Sequence, residues 1–546
     1  MKLQKAFFIL LLSTLSLFAT PNRAWNKQNI FVNVNRELLN GDAHLLQNLT
    51  RLQNFYNSRQ NRPIWLSNRG IKGKKVMQLL SSIQKDTTLD PRSHINKKAK
   101  KLKKDLERKH TNASIIRLEL ELTTLYYDFL QHTIYGEIDW KSFDAYLAQN
   151  QANGIDSNWV RYPLYFDILS LMSQENVIQT LNQVTPHGYN YKKLTSALYR
   201  LYKIKWQGGW GRLPAVKSIK KGQSGSIVAK LRKRLSISGD YRPCSTKVSN
   251  KYFGTCLEKA VMRFQKRHNS VADGVVGRGT QQLLNISVNS KINKILLNID
   301  RIKWLPRNAT ERHIVVNIPE YMLHYYEYGK EKKTLRVIVG DTKHPTPIFS
   351  DTLSYITLNP YWKLPPGIIR KEVVPAMLKD PNYMKKHGLE AHETWEENSS
   401  VVSLKGINWS EYLSEESKFP YRLMQPPGPK NALGKIKFKF PNKFSVYLHD
   451  TPTKHLFKRK KRAFSHGCIR LSQPFSLLKS LSKNEPYISS AEVKHILSTK
   501  QKKEIDLTRD IPIHLVYLTA WVNANNQLMF GDDIYKYDRY QRRVIR

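Results

Sequence analysis

The sequence predicts an α+β protein of several domains, on three observations. At 546 residues the chain exceeds the roughly 250–300 residues at which one hydrophobic core stops growing. Up to about residue 205 apolar residues recur three and four apart, the period of amphipathic helices. From Arg312 the pattern changes to short runs rich in β-branched and aromatic residues between Pro, Gly and Asp turns, which predicts strands.

The elements follow in order. Lys2 and Lys5 precede an uncharged apolar run, Ala6–Ala19, the layout of a secretory signal, assigned to 1–24. A buried terminal helix and an uncleaved anchor are the alternatives, although the run is shorter than the roughly 20 residues that span a bilayer. Residues 40–205 form a helical domain, with its period clearest in Ser114–Gln131 and Val177–Val184. Phe55-Tyr56 and Arg62–Trp65 are expected to make a fixed packing corner. Nothing here has catalytic spacing, so the domain is given a scaffold role. A basic, Gly-rich break from Gly208 to Gly222 ends it. The unit at 222–287 has helical periodicity in Ile227–Leu235 and Leu257–His268, a turn at Asp273–Gly277 and a third helix from Thr280. Residues 290–306 predict a linker helix stopped by Pro306. A mainly β domain over 310–520 completes the chain. Its polar insertion at about 368–420 is expected to act as a lid, because a long loop inside a compact domain is usually functional.

Charge and cysteines restrict the partners. A formal charge of +47 attracts polyanions. An export signal removes cytoplasmic nucleic acid from consideration and leaves anionic wall polymers and membrane surfaces, unless the lysines reflect a compositional bias alone. Of the three cysteines, Cys244 and Cys256 form a candidate disulfide, which would stabilise by about 3 kcal/mol for so short a loop. The sequence leaves the pairing open. Cys468 is left over, and an odd cysteine in an exported protein is either intermolecular or a working thiol.

The chemistry concentrates in Tyr447–Pro452 (YLHDTP) and Ser465–Leu471 (SHGCIRL). A thiol attacks as thiolate, and a neighbouring imidazole can hold it so as an ion pair, which predicts Cys468 as nucleophile and His449 as base. Gly467 lets the backbone turn sharply, bringing the thiol and nearby N–H groups to one point, as an oxyanion requires. Two other readings compete. His449, His466 and Cys468 could form an open zinc site, but His-x-Cys is poor spacing for two ligands of one metal and no HExxH-like helix accompanies it. A non-enzymatic wall-binding protein leaves SHGC unexplained.

These segments, with Pro345-Thr346-Pro347, Asn359–Trp362 and Pro426–Gly434 in the same order, resemble L,D-transpeptidases with a YkuD-type catalytic domain, in particular the large periplasmic YcbB-like class. The unit at 222–287 resembles a three-helix peptidoglycan-binding module through Phe264-Gln265, Asp273–Gly277 and Thr280–Leu284. The resemblance implies that Cys468 forms a thioester with the third residue of a tetrapeptide stem and that His449 is the base. It further implies that Tyr447 helps form the oxyanion hole, with Gly467 beside it, that Arg470 orders the site and meets the substrate carboxylate, and that Trp362 and Asn431 bind substrate; His466 is either an oxyanion or substrate residue or a structural hydrogen-bond partner beside the turn. An acceptor amine would then complete a 3→3 cross-link. It implies no metal or organic cofactor, peptidoglycan stem peptides and glycan as partners, and a periplasmic location.

Overall fold

The computed structural model describes residues 49–543 except 68–69, 109, 245–248, 308–310, 484 and 486–487. The signal expected at 1–24 and the first residues of the scaffold, from 40, lie outside the described residues.

Among the described residues eight helices build the scaffold: α1 (Leu49–Ser58), α2 (Gly73–Lys85), α3 (His94–Asp105), α4 (Asn112–Tyr135), α5 (Trp140–Ala152), α6 (Ile168–Ser173), α7 (Val177–Val184) and α8 (Tyr191–Trp206). Long α4 is central, burying Leu120, Leu125, Tyr126 and Leu130. It also buries Glu119, whose carboxylate accepts hydrogen bonds from the Tyr56 hydroxyl (2.8 Å) and the Ile64 and Trp65 N–H groups (2.7 and 3.0 Å). A buried carboxylate needs such donors, and here they fix the corner expected at Phe55–Trp65.

The next unit is a three-helix module of α9 (Ser226–Ile237), α10 (Thr255–Arg267) and α11 (Arg278–Leu284). Its markers explain one another. The Gln265 amide donates to the Asp273 carboxylate (2.7 Å) and the Val275 carbonyl (2.9 Å), and its oxygen accepts from the Gly274 N–H (3.0 Å). One side chain thus locks the turn to the helix. Cys244 and Cys256 are disulfide-bonded, with Cα atoms 6.2 Å apart.

Helix α12 (Val288–Lys303) is where the sequence predicts a linker at 290–306. It is instead among the most enclosed elements. Ile292, Ile295, Ile299 and Ile302 are buried, as are Asn298, Asp300, Arg301 and Lys303. Asp300 accepts from the Glu137 N–H (3.0 Å) and the Arg543 guanidinium (2.9 Å) and lies 3.4 Å from the Lys303 ammonium. Burial opposes its charge, but Arg543 and Lys303 more than offset this and hold the carboxyl below its ordinary range. Gly136 lies against that carboxylate with φ +73°, and any Cβ there would collide with it.

The third domain opens with β1 (Arg312–Asn317), β2 (Met322–Glu327), β3 (Lys330–Gly340) and β4 (Phe349–Leu358). The insertion carries β5 (Trp362–Lys363), β6 (Glu390–His392) and β7 (Arg422–Gln425) as a separate sheet in the order β5-β7-β6. Leu364, Ile369, Val373, Trp409 and Leu423 give it a small core of its own, so the unit is wider than the expected 368–420. The main sheet resumes with β8 (Ile436–Lys439), β9 (Leu448–His449), β10 (Ala463–Ser465), β11 (Ile469–Leu471) and β12 (Lys503–Val516). Its order is β10-β3-β11-β9-β8-β4-β12-β1-β2, and β2 also pairs with β3, closing the sheet on itself. Closure leaves no free edge in the ring that runs from β3 to β2, with β10 paired to β3 alone, around a core that includes Val316, Leu323, Val337, Phe438, Leu448, Ile469 and Leu515.

The chain does not leave this domain at 520. It continues through β13 (Ala520–Val522) and β14 (Leu528–Phe530), which pack on α8 and α12, and returns to the scaffold. There the Asp139 N–H donates to the Arg542 carbonyl (2.9 Å).

Replacing Asp300 by Ala takes the counter-charge from the buried Lys303 and the partly buried Arg543, so Asp300→Ala should destabilise the protein by about 3–5 kcal/mol, the cost typical of breaking a buried pair from one side. Urea unfolding followed by circular dichroism checks this, and a loss below about 1 kcal/mol would contradict the role assigned to Asp300.

Candidate active site

Strand pairing assembles the site. Strand β9 runs parallel to β11 with Leu448 opposite Ile469 and His449 opposite Arg470. One residue earlier, the Ile469 N–H donates to the Tyr447 carbonyl (3.0 Å), which sets Tyr447 beside Cys468. Side chains alternate along a strand. Leu448, Ile469 and Leu471 enter the core, and Tyr447, His449, Cys468 and Arg470 share the opposite face. Strand β8 adds a fifth member, because Lys437 pairs with His449 in antiparallel register.

Two devices hold Cys468 at the mouth of β11. Gly467 has φ +101°, a conformation open to glycine, and its carbonyl accepts from the Thr346 hydroxyl (2.8 Å). The Ser465 hydroxyl donates to the Cys468 carbonyl (2.5 Å). Thr346 is itself pinned, its N–H donating to the Tyr535 hydroxyl (3.1 Å), which in turn donates to the Gly340 carbonyl (2.7 Å). Gly340 is glycine for space, since a Cβ would overlap the His344 and Thr346 backbone. The strand before Asp450 is confined to Leu448–His449. Asn442 accepts from the Phe444 and Val446 N–H groups (both 3.1 Å), and Ser445 adopts φ +55°. This local bonding competes with the sheet ladder and places the Ser445 carbonyl 3.8 Å from the half-buried Cys468 sulfur.

The electrostatics correct one expectation. Burial, then the Arg470 charge, pushes the His449 imidazole down to about 3. Burial pushes the Cys468 thiol up, against hydrogen bonds from Tyr447 and the charges of Lys437 and Arg470, which favour thiolate. Both shifts favour neutral thiol beside neutral imidazole over the expected ion pair. A neutral imidazole has a free lone pair, the form a base requires.

The remaining expected residues are dispersed around this face. Arg470 donates to the Thr453 hydroxyl (3.3 Å). His466 points to the insertion, where Glu372 lies 2.8 Å from its ring and raises its basicity. Trp362 is on β5 and packs partly buried against the insertion core. Asn431 is buried, and its amide donates to the Pro360, Gln425 and Pro426 carbonyls (2.9, 3.0 and 3.1 Å). Those bonds pin the Pro426–Gly434 loop and consume the donors the resemblance would offer to substrate. Among the described residues no group of three or more His, Cys, Asp and Glu side chains could hold a metal ion. Sequence reasoning missed Lys437, Glu372 and Tyr535. Thr346 was quoted in its motif without a role.

Comparison with known proteins places the domain that carries these residues. Residues 311–487 match the L,D-transpeptidase catalytic domain family, YkuD. The chain carries an L,D-transpeptidase catalytic domain. Residues 50–198 match the scaffold domain family, and 224–284 match the "Putative peptidoglycan binding domain" family. A Haemophilus influenzae protein named "Putative L,D-transpeptidase" is 36% identical over 246 residues, covering 45% of this chain and 48% of that one. The chain thus spans about half the length of that curated relative. Among solved structures, the L,D-transpeptidase of Xylanimonas cellulosilytica is 15% identical over 56% of this chain and 99% of that one, with TM-score 0.17. That of Stackebrandtia nassauensis is 14% identical over 56% and 97%, with TM-score 0.19.

With a neutral resting pair, alkylation of Cys468 by iodoacetamide should accelerate about tenfold per pH unit from pH 6 to 8.5, following the thiolate fraction. Intact-mass kinetics measure it, and a plateau already reached below pH 7 would indicate the ion pair instead.

Proposed function

We propose that the protein is an exported, periplasmic L,D-transpeptidase that cross-links peptidoglycan through a Cys468 thioester. The observation that carries this reading is the shared face of Tyr447, His449, Cys468 and Arg470 within a domain matched to that family. The peptidoglycan-binding match at 224–284 supports the wall as substrate. The lysines and apolar run at the N-terminus support export.

His449 takes the Cys468 proton as the sulfur attacks the carbonyl carbon of the third residue of a tetrapeptide stem. The Tyr447 hydroxyl, directed at the sulfur before attack, is released once a C–S bond forms and turns to the new oxyanion beside the N–H groups of the Gly467 turn. Collapse breaks the peptide bond, and the terminal D-alanine leaves as amine with the proton from His449. An acceptor amine attacks the thioester, His449 takes its proton, and the thiol is restored. Neither step needs a metal or cofactor. The insertion, joined to the turn through Glu372 and His466, excludes water that would hydrolyse the thioester.

Cys468→Ala should abolish cross-linking and the covalent adduct with a carbapenem, and His449→Ala should slow acyl transfer by about 10²–10⁴-fold, the range of a general base. Intact mass and muropeptide analysis of treated sacculi provide the readout. An adduct retained in Cys468→Ala would refute the nucleophile.

A further inference from the structure

Lys437 is the unexplained member of the site. A lysine on the outer face of a barrel strand is ordinarily solvated, its stem on the surface and its ammonium in water. This one is half-buried, in register with His449 on β9 and Thr357 on β4, and its ammonium sits 3.8 Å from the centre of the Tyr447 ring. Among the described residues no carboxylate lies within ion-pair distance of it. Burial lowers its affinity for a proton, to about 8, where it remains charged at neutral pH.

The groups that face Lys437 come from five directions. Lys439 stands two residues along its own strand, over the Tyr355 ring, and opposes its charge. Lys363, on β5 of the insertion, also opposes it. Glu504, on β12, favours it but is already 3.3 Å from the Lys502 ammonium. Tyr447, just before β9, and His449, on it, complete this side, the one uncharged and the other kept neutral by burial. Cys468, ionised, is the remaining anion and favours the Lys437 charge more than Glu504 does. A cation carried into a partly desolvated site without a carboxylate costs free energy, and that cost is recovered only when a negative charge develops nearby.

We propose that Lys437 is a positioning residue of the reaction: its ammonium, seated on the Tyr447 ring, carries the positive charge that steadies the Cys468 thiolate. The proposal rests on the reading of Cys468 as nucleophile and assigns to Lys437 the task that a neutral His449 leaves undone. When the S–H bond breaks, its proton goes to the His449 imidazole and the electron pair stays on sulfur. Lys437 keeps all its protons, so the ammonium fixes the Tyr447 hydroxyl toward sulfur and lowers the energy of the anion without exchanging anything.

The test is the pH profile of iodoacetamide alkylation at Cys468, read by intact mass on the full chain, where Cys244 and Cys256 are bonded to each other. Lys437→Met should move the midpoint upward by about one unit, about a tenfold slower reaction at neutral pH. Lys437→Arg, whose charge does not titrate, should keep the midpoint at or below that of the wild type. A Lys437→Met profile superimposed on the wild type overturns the proposal. So does a Lys437→Arg midpoint one unit above the wild type, whether or not the Met variant folds. These outcomes are separate from failure of the nucleophile reading, which the carbapenem adduct on Cys468→Ala decides alone.

Discussion

The arrangement depends on one buried carboxylate. Asp300 joins three parts of the chain that do not share a sheet: its own helix α12 through Lys303, the end of α4 through the Glu137 N–H, and the C-terminal segment through Arg543. A charge so enclosed is tolerable only while all its partners are present. Lys303 is equally committed, since its ammonium also donates to the His132 carbonyl (2.8 Å). Scaffold, α12 and the C-terminal segment therefore have their relative placement set by polar geometry, with apolar packing of α8 and α12 around it. The helix that sequence periodicity marks as a connector is the mechanical centre of the molecule.

From that frame the groups of the candidate site inherit their positions through backbone hydrogen bonds. Two short parallel strands and the residues that lead into them carry all four residues of the shared face, and a slip of one residue would send Cys468 and His449 into the core. The frame guards against it from below, because Tyr535, delivered by the returning C-terminal segment, holds Thr346 and hence the Gly467 carbonyl. Scaffold attachment and the geometry of the Cys468 turn are consequently linked by the same stretch of chain.

Much of this was legible in the sequence. The helical period, the change to strand patterning at Arg312 and the SHGC and YLHDTP segments led to the fold class and to Cys468 and His449, because those signals are local. What escaped depends on distant pairing. Lys437 joins the site only through its register with β9, which no local period reveals. Glu372 reaches His466 across the insertion, and Tyr535 meets Thr346 over 189 positions. The neutral state of His449 was illegible for another reason: burial is a property of the assembled barrel. Asn431 shows the converse case, a motif residue whose donors the fold spends on its own loop.

The Arg543 guanidinium also donates to the Thr88 carbonyl (3.0 Å), a contact spanning 455 positions. Closing so long a loop is entropically costly before any contact rewards it, and such topologies fold slowly. Synthesis proceeds from the N-terminus, so the scaffold emerges first but waits for nearly the whole chain before its last bonds can form. The turn bearing Cys468 waits as well, since Tyr535 is made after it. The thiol is thus translated some time before the surroundings that shape it exist, and its reactivity is a property of the finished chain alone.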